Sequence, residues 1–214
     1  MESDFHMSWY PAIAAQTRQQ SYAAGDVIAM QGEALDYVGY IISGRATAVA
    51  YSEHGATTWV GYFGSSDFFG HVSLLTETET KFEICADMDV KALLIPANVM
   101  RDLLEQDRPL NSALTQDLAA RLDVMTSQLI EAFTLSARGR VCAELARLSN
   151  IIGIMPEKHI IRPNPIFVDI AQRINSTRET VSRTVSELQK KGIIDREPGA
   201  LIINSPERLK AAIQ

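Results

Sequence analysis

The residues of this chain best suited to recognising another molecule stand together in one short segment, STRETVSRTVSELQKKG at positions 176–192. Arg178 and Ser182 are four residues apart, as are Glu179 and Arg183, so in a helix the four side chains share one face. Arginine can donate two hydrogen bonds to O6 and N7 of guanine, and glutamate can accept one from N4 of cytosine. The segment therefore has the chemistry to recognise base edges in a DNA groove.

The residues around this face predict the helix-turn-helix that would present it. A short helix is expected at 168–173, in which the small Ala171 allows a second helix to cross closely. Asn175 fits a left-handed turn between the helices, and the hydroxyl of Thr177 fits the N-cap of the second one. The buried face of that second helix is formed by apolar residues at spacings of four and three: Val181, Val185 and Leu188.

A simpler explanation of the charged face is a solvent-exposed surface held by an internal Glu179–Arg183 salt bridge. That explanation does not account for the turn, the cap or the segment that follows. IIDREPGALIIN, at 193–204, predicts two short strands around a Pro-Gly turn, and a last helix begins after Ser205 as its cap. Together these parts predict a helix-turn-helix whose second helix enters the major groove of double-stranded DNA.

Charge is distributed unevenly along the chain. The whole sequence has 20 Lys+Arg against 26 Asp+Glu, a net charge of -6, which by itself argues against a nucleic-acid partner. Residues 137–214, however, hold 13 Lys+Arg and 8 Asp+Glu, a net of +5, whereas residues 1–136 have a net of -11. A basic part joined to an acidic part fits a polyanion-binding module tethered to a module with another task.

Composition indicates a soluble protein of one large or two ordinary domains. The 214 residues are 46% hydrophobic and 21% charged, with no apolar run long enough for a membrane span and no signal-peptide pattern. The two cysteines, Cys85 and Cys142, lack CxxC spacing and are expected to be buried thiols in a reducing cytoplasm. No nucleophile–base pair or phosphate-binding glycine loop has catalytic spacing, so we do not expect an enzyme.

Two further segments precede the basic part. Residues 21–96 contain short β-rich runs separated by turn signals about every ten residues, which predicts a barrel or sandwich. Residues 110–133 lack glycine and proline and carry an apolar stripe typical of a long helix: Leu110, Leu114, Leu118, Leu122, Met125, Leu129 and Phe133. One interpretation packs this stripe on the chain's own barrel. We favour the other, the seam of a homodimer, because the stripe is longer than a small barrel would cover.

In order and spacing these segments resemble the catabolite-activator/Fnr (Crp/Fnr) family of bacterial transcription factors over almost the whole chain. The resemblance rests on GDVIAMQGE, GYIISGRATAV and FFGHVSLL, then the long helix, then RETVSR followed by a hairpin. It implies an α+β fold with a cyclic-nucleotide-binding-like β-roll (jelly roll) at 1–108 that senses an effector. It also implies a long dimerisation helix and hinge at 109–136, followed by a winged helix-turn-helix at 137–214. We therefore expect a cytoplasmic homodimer that regulates transcription and contacts RNA polymerase.

The resemblance also implies roles for residues of the recognition helix, 177–191. Positions matching Arg178, Glu179 and Arg183 contact bases in the family, and Ser182 matches a base-contacting serine of the Fnr branch. Because RETVSR combines the patterns of both branches, we expect a palindromic promoter site with a half-site similar to TGTGA. Phosphate contacts, which add affinity without sequence choice, are expected from Ser176, Thr177 and Lys191.

The effector site departs from the pattern of the cyclic-AMP-binding members. They carry Gly-Glu after an aromatic pair, with the glutamate on the ribose hydroxyl, where this chain has Gly70-His71. Their phosphate-binding arginine matches Thr80 or Lys81, depending on a one-residue gap. Both polar contacts, each worth roughly 1.5–3 kcal/mol, are missing, so we expect cyclic AMP to bind weakly or not at all. The candidates for contact with another effector are Gly70, His71, Val72, Ser73, Thr80, Lys81, Met125, Thr126 and Ser127.

The nature of that effector stays open at this point. His71 and Lys81 could bind a different anion, or they could be a satisfied wall histidine and a solvated lysine. The chain has no cysteine cluster for an Fnr-type iron–sulfur centre, while a histidine-bound haem would use His71 or His54. The scattered histidines predict no metal site. Two other functional classes are a small-molecule sensor whose helix-turn-helix binds protein and, less favoured, a metal enzyme of the β-roll.

Overall fold

The computed structural model describes residues 9–152 and 159–213. The chain divides into two compact units, Met1–Arg121 and Leu122–Gln214. The division falls inside a long helix, within the segment 109–136 that the sequence predicts to connect two domains. Each unit has its own hydrophobic core.

The described part of the first unit is built on eight antiparallel strands in two four-stranded sheets. One sheet has the order β1-β8-β3-β6 and the other the order β2-β7-β4-β5. The strands are β1 (Arg18–Tyr22), β2 (Val27–Ala29), β3 (Tyr37–Ser43), β4 (Ala46–Tyr51), β5 (Thr57–Phe63), β6 (Phe68–Phe69), β7 (Glu83–Ala86) and β8 (Val90–Pro96). The predicted β-roll is confirmed.

A hydrophobic core lies between the two sheets of the roll. Ala46 and Ala48 are buried at alternate positions of β4, as expected for a strand with one face toward the core. They belong to one cluster of buried residues from both sheets. The ring of Phe69 is fully buried there. Glycine is required at position 39, because a Cβ on Gly39 would overlap that ring.

Short helices and a 3-10 turn accompany the strands of the roll in the first unit. They are α1 (Tyr10–Ile13), a 3-10 turn (Ala14–Gln16), α2 (His71–Thr76) and α3 (Ala97–Gln106). The indole of Trp9 packs against the rings of Tyr40 and Phe68, with centroids 5.4 and 5.8 Å away. Leu110 and Leu114 belong to the same core, so the beginning of the next helix packs on the roll.

That next helix, α4 (Arg108–Thr134), has 27 residues and is about 40 Å long at 1.5 Å per residue. Its predicted apolar stripe is buried only at Leu110 and Leu114. The later members of the stripe are 47–84% exposed: Leu122, Met125, Leu129 and Phe133. Packing on the chain's own roll therefore accounts for only the first turns of the stripe.

The described part of the second unit packs helices against a three-stranded sheet of order β10-β11-β9. Its elements are α5 (Ala137–Ile152), β9 (His159–Ile161), α6 (Phe167–Arg173), α7 (Arg178–Lys190), β10 (Ile194–Glu197), β11 (Ala200–Ile203) and α8 (Pro206–Ala211). The predicted hairpin at 193–204 is confirmed as β10 and β11. Ser205 is the N-cap residue of α8, as predicted, although its side chain makes no capping hydrogen bond.

Candidate nucleic-acid interface and effector site

The turn between α6 and α7 has the geometry that the sequence predicts. Asn175 has a φ of 49°, in the left-handed region, and the amide of Ser176 donates to the carbonyl of Ala171 at 2.8 Å. Thr177 is the N-cap of α7, where its Oγ1 accepts from the amide of Thr180 at 3.2 Å. Hydrogen bonds on both sides of the turn thus fix where α7 begins.

One face of α7 is buried against α5 and α6. Val181, Val185 and Leu188 are almost inaccessible, as predicted, and Thr184 lies among them. Because this face is anchored in the core, the residues of the opposite face are held toward solvent.

The opposite face of α7 forms an open cleft lined by Arg178, Glu179, Ser182, Arg183 and Ser186. All five residues are exposed. Among the described residues no ion pair involves Arg178, Glu179 or Arg183, so the internal Glu179–Arg183 salt bridge is not formed. The donors of both guanidinium groups and the oxygens of Glu179 are therefore available to another molecule.

Ser186 is an addition to the predicted set. It follows Ser182 by four residues, so helical spacing would have placed it on the same face. Its hydroxyl donates to the carbonyl of Ser182 at 2.8 Å, which leaves its oxygen as an acceptor.

The predicted phosphate-binding residues lie at opposite ends of α7. Ser176 and Thr177 precede its first turn, where backbone amides lack partners within the helix and favour anions. Lys191 is exposed at the C-cap, roughly 20 Å farther along the axis. These residues would therefore meet different phosphates of a duplex.

The hairpin beside the helix-turn-helix carries charge near its turn. Asp195, Arg196 and Glu197 on β10 are exposed. The guanidinium carbon of Arg196 lies 5.2 Å from the ring centroid of Phe167, a cation–π contact that joins the hairpin to the start of α6.

His71 is the most unusual residue of the candidate effector site. It opens α2 after Gly70, whose φ of 79° lies in the left-handed region. The side chain is 3% exposed, yet neither ring nitrogen has a hydrogen-bond partner among the described residues. Burial lowers the pKa of His71 to about 4, an effect that Asp117 opposes and Arg121 reinforces. The imidazole is thus neutral at pH 7, with one donor and one acceptor nitrogen unused.

A cluster around Arg121, which the sequence did not reveal, lies in the same unit. Its Nε donates to Asp117 at 2.8 Å, its Nη2 lies 3.2 Å from Asp67, and its guanidinium carbon lies 4.8 Å from the ring centroid of Phe63. Two carboxylates share this single cation. With the neutral His71, the group carries a net charge of -1.

Thr80 and Lys81, the candidates that match the phosphate-binding arginine of relatives, have different surroundings. The buried Thr80 donates its hydroxyl to the carbonyl of Met30 at 2.5 Å and accepts from the amide of Glu33 at 3.2 Å. Its hydroxyl hydrogen is therefore engaged by a turn of the roll. Lys81 is exposed.

The remaining candidates have varied surroundings. Val72 is exposed and Ser73 is half-buried on α2, and Met125, Thr126 and Ser127 are exposed on α4. His54 lies in the exposed turn between β4 and β5. Within residues 9–152 and 159–213, no three His, Cys, Asp or Glu side chains converge as a metal would require. Over the same ranges no helix is long and apolar enough to cross a membrane.

Two family models match the chain. A cyclic nucleotide-binding domain matches residues 19–107, and a Crp-like helix-turn-helix domain matches residues 139–212. The first match covers the roll, including His71, and the second covers the recognition helix.

Relatives match over nearly the full length. The CRP-like cAMP-activated global transcriptional regulator of Mycobacterium tuberculosis is 26% identical over 203 residues, covering 92% of this chain and 90% of its own. The cAMP-activated global transcriptional regulator Vfr of Pseudomonas aeruginosa is 23% identical over 195 residues, covering 89% and 91%.

Among solved structures, a mutant of CooA from Carboxydothermus hydrogenoformans has a TM-score of 0.83 at 17% identity, covering 95% of this chain and 90% of its own. That likeness supports the fold. The two domain matches and the full-length relatives, which are named as transcriptional regulators, show that the protein belongs to the Crp/Fnr family of DNA-binding transcriptional regulators.

Proposed function

We propose that the protein acts as a homodimer on a palindromic promoter site, with each α7 in one half-site similar to TGTGA. The observation that carries this proposal is the exposed face of α7, formed by Arg178, Glu179, Ser182 and Arg183. The net charge of +5 in residues 137–214 adds attraction to phosphates. A two-fold dimer fits half-sites about one helical turn, roughly 34 Å, apart.

The exposed part of the α4 stripe supports the homodimer. Leu122, Met125, Leu129 and Phe133 follow one another at steps of three and four along one side of the helix. Exposure of four large apolar side chains to water is unfavourable. Packing against the same helix of a second copy would bury these side chains. RNA polymerase is the protein partner that the family resemblance suggests.

We further infer that the roll binds an effector other than cyclic AMP, although the two relatives described above are named as cAMP-activated. Arg121 is already paired with Asp117 and Asp67, and Thr80 keeps its hydroxyl on a turn. An anionic cyclic phosphate would therefore meet negative charge instead of a free arginine. The unused donor and acceptor of His71 suit a neutral polar ligand.

The decisive experiment is selection of binding sites from random DNA with the full-length protein, with and without cell extract. The proposal expects two inverted half-sites at fixed spacing. A difference between the two selections would show that a soluble effector is needed. If no palindrome is enriched in either selection, the protein does not bind DNA in the proposed way.

Substitution Arg178→Ala is expected to relax the choice of one base pair in each half-site. The lost bidentate contact should reduce discrimination at that position by roughly 1–3 kcal/mol, while affinity for random DNA changes much less. Fluorescence anisotropy with single-base variants of the selected site measures this. Equal losses on selected and random DNA would make Arg178 a phosphate contact.

Cyclic AMP at millimolar concentration is expected to leave the melting temperature of the first unit unchanged. A ligand stabilises a protein only when its concentration approaches or exceeds Kd, and this site lacks two of the contacts that hold the nucleotide. Thermal unfolding with added cAMP tests this, with the M. tuberculosis regulator as positive control. A saturable shift at micromolar cAMP would contradict the proposed effector class.

A further inference from the structure

Four charged side chains connect three helices of the second unit. Arg147 on α5 binds Glu131 near the end of α4, with Nη2 2.6 Å from Oε1, and binds the carboxylate of Glu144 through Nη1. The other oxygen of Glu144 accepts from Nη1 of Arg173, the last residue of α6, at 3.2 Å. We call this connection, Glu131–Arg147–Glu144–Arg173, the ion chain.

The ion chain is largely shielded from water at its centre. The side chain of Glu144 is only 3% exposed, and both of its oxygens are paired. Burial lowers the pKa of Arg147, but the carboxylates of Glu131 and Glu144 outweigh this, so the net pKa lies above its usual value. A buried carboxylate is tolerated only with such partners, so the central pairs hold their geometry firmly.

The two ends of the ion chain lie on either side of the hinge. Glu131 is one turn before the end of α4 at Thr134, and α5 begins at Ala137. Two residues, Leu135 and Ser136, lie between these helices, so no continuous helix fixes the angle between α4 and α5. The Glu131–Arg147 pair bridges that angle through side chains.

Beyond the hinge, α5 is tied to the helix-turn-helix. Glu144 holds Arg173 next to the turn, and Arg140 donates to the carbonyl of Ile174 at 3.0 Å. Arg140 also donates to the carbonyl of Leu135 at 3.0 Å. Contacts with α6 and α7 thus hold α5 in the same core as α7, and the Glu131–Arg147 pair ties α5 to the last turn of α4.

We propose that Glu131 and Arg147 determine which spacing between half-sites the protein accepts. This inference rests on the proposed function, because it needs a homodimer on two half-sites. One base pair inserted between half-sites moves one of them by about 3.4 Å and turns it by about 35°. A dimer in which the Glu131–Arg147 pairs fix the hinges cannot move its recognition helices to match the new spacing. A dimer without these pairs can.

The test uses the full-length protein, the selected operator, and operators one base pair longer and shorter. Glu131→Gln removes the charge on α4 but leaves Arg147 paired with Glu144, so the fold should be kept. Arg147→Lys keeps the positive charge, but one ammonium cannot reproduce the fork that binds both carboxylates. The matched control is Glu187→Gln, which breaks the 3.5 Å pair with Arg138 inside the second unit without involving α4.

Wild-type protein and Glu187→Gln should strongly prefer the selected spacing. Glu131→Gln and Arg147→Lys should each reduce this preference by about fivefold, the size expected for one contact that couples two elements. Base preferences inside a half-site should not change, which separates a positioning role from general destabilisation.

Each outcome decides a different question. Unchanged spacing preference in both variants would overturn the role of the ion chain and leave the proposed function intact. Failure of the wild-type protein to bind any site with two half-sites would overturn the proposed function itself and this inference with it.

Discussion

Replacement of Leu129 by glutamate is expected to convert the protein into a monomer and to weaken binding to an operator with two half-sites by about a hundredfold or more. Leu129 lies in the exposed stripe of α4 and is 59% exposed in the single chain. In a dimer the new carboxylate would be buried without a partner, which is strongly unfavourable. In the monomer it would remain in water, so the fold should persist.

Light scattering after size-exclusion chromatography and anisotropy with intact and half operators measure these two effects. Binding to a half operator should change little, because each recognition helix is intact. Leu75→Glu is the control, since it places the same charge at an apolar residue of α2 that is 52% exposed. If Leu129→Glu remains a dimer at the same protein concentration, the stripe is not the dimer seam.

Acid is expected to destabilise the first unit through His71 by about 3 kcal/mol between pH 7 and pH 4. Burial holds the pKa of His71 at about 4 in the folded protein, against 6.5 for an ordinary histidine. Between these two values the unfolded chain takes up a proton that the folded chain does not. This contribution is therefore fully present above pH 6.5 and is lost as the pH falls toward 4.

Urea unfolding at several pH values measures this contribution, and the chain offers a convenient signal. Its two tryptophans, Trp9 and Trp59, both lie in the first unit, so their fluorescence reports on that unit alone. His71→Gln keeps a donor and an acceptor without the titration and should show a smaller loss toward pH 4. His54→Gln, in an exposed turn, should follow the wild type. Parallel pH curves for wild type and His71→Gln would mean that His71 is not held neutral by the fold.

The helix-turn-helix could be predicted from the sequence because its geometry depends on neighbouring residues. The turn is defined by Asn175, which tolerates a positive φ, and by the capping hydroxyl of Thr177. The buried face is defined by apolar residues at helical spacing. The short β-rich runs of the roll, each bounded by turn residues, are local signals of the same kind.

Helix boundaries were harder to predict because proline and serine each have two roles. Proline often follows the end of a helix, yet Pro109 lies in the first turn of α4, where a missing amide costs nothing. Serine and glycine at 136 and 139 are typical of a break between helices, but the hydroxyl of Ser136 accepts from the amide of Gly139 at 3.0 Å, and α5 begins at Ala137.

Contacts between distant residues could not be predicted at all. Arg121 pairs with Asp67, and Arg173 with Glu144, across long intervals of sequence that only the fold brings together. In isolation each residue looks like an ordinary surface charge. The Arg121 cluster and the ion chain are therefore visible only in the structure.

The position of Glu131 has a practical consequence for anyone who studies the DNA-binding part by itself. A fragment that starts at Ala137 contains every residue of the winged helix-turn-helix but lacks the carboxylate that holds Nη2 of Arg147. Starting such a fragment near Leu122 keeps that carboxylate and follows the natural division of the chain.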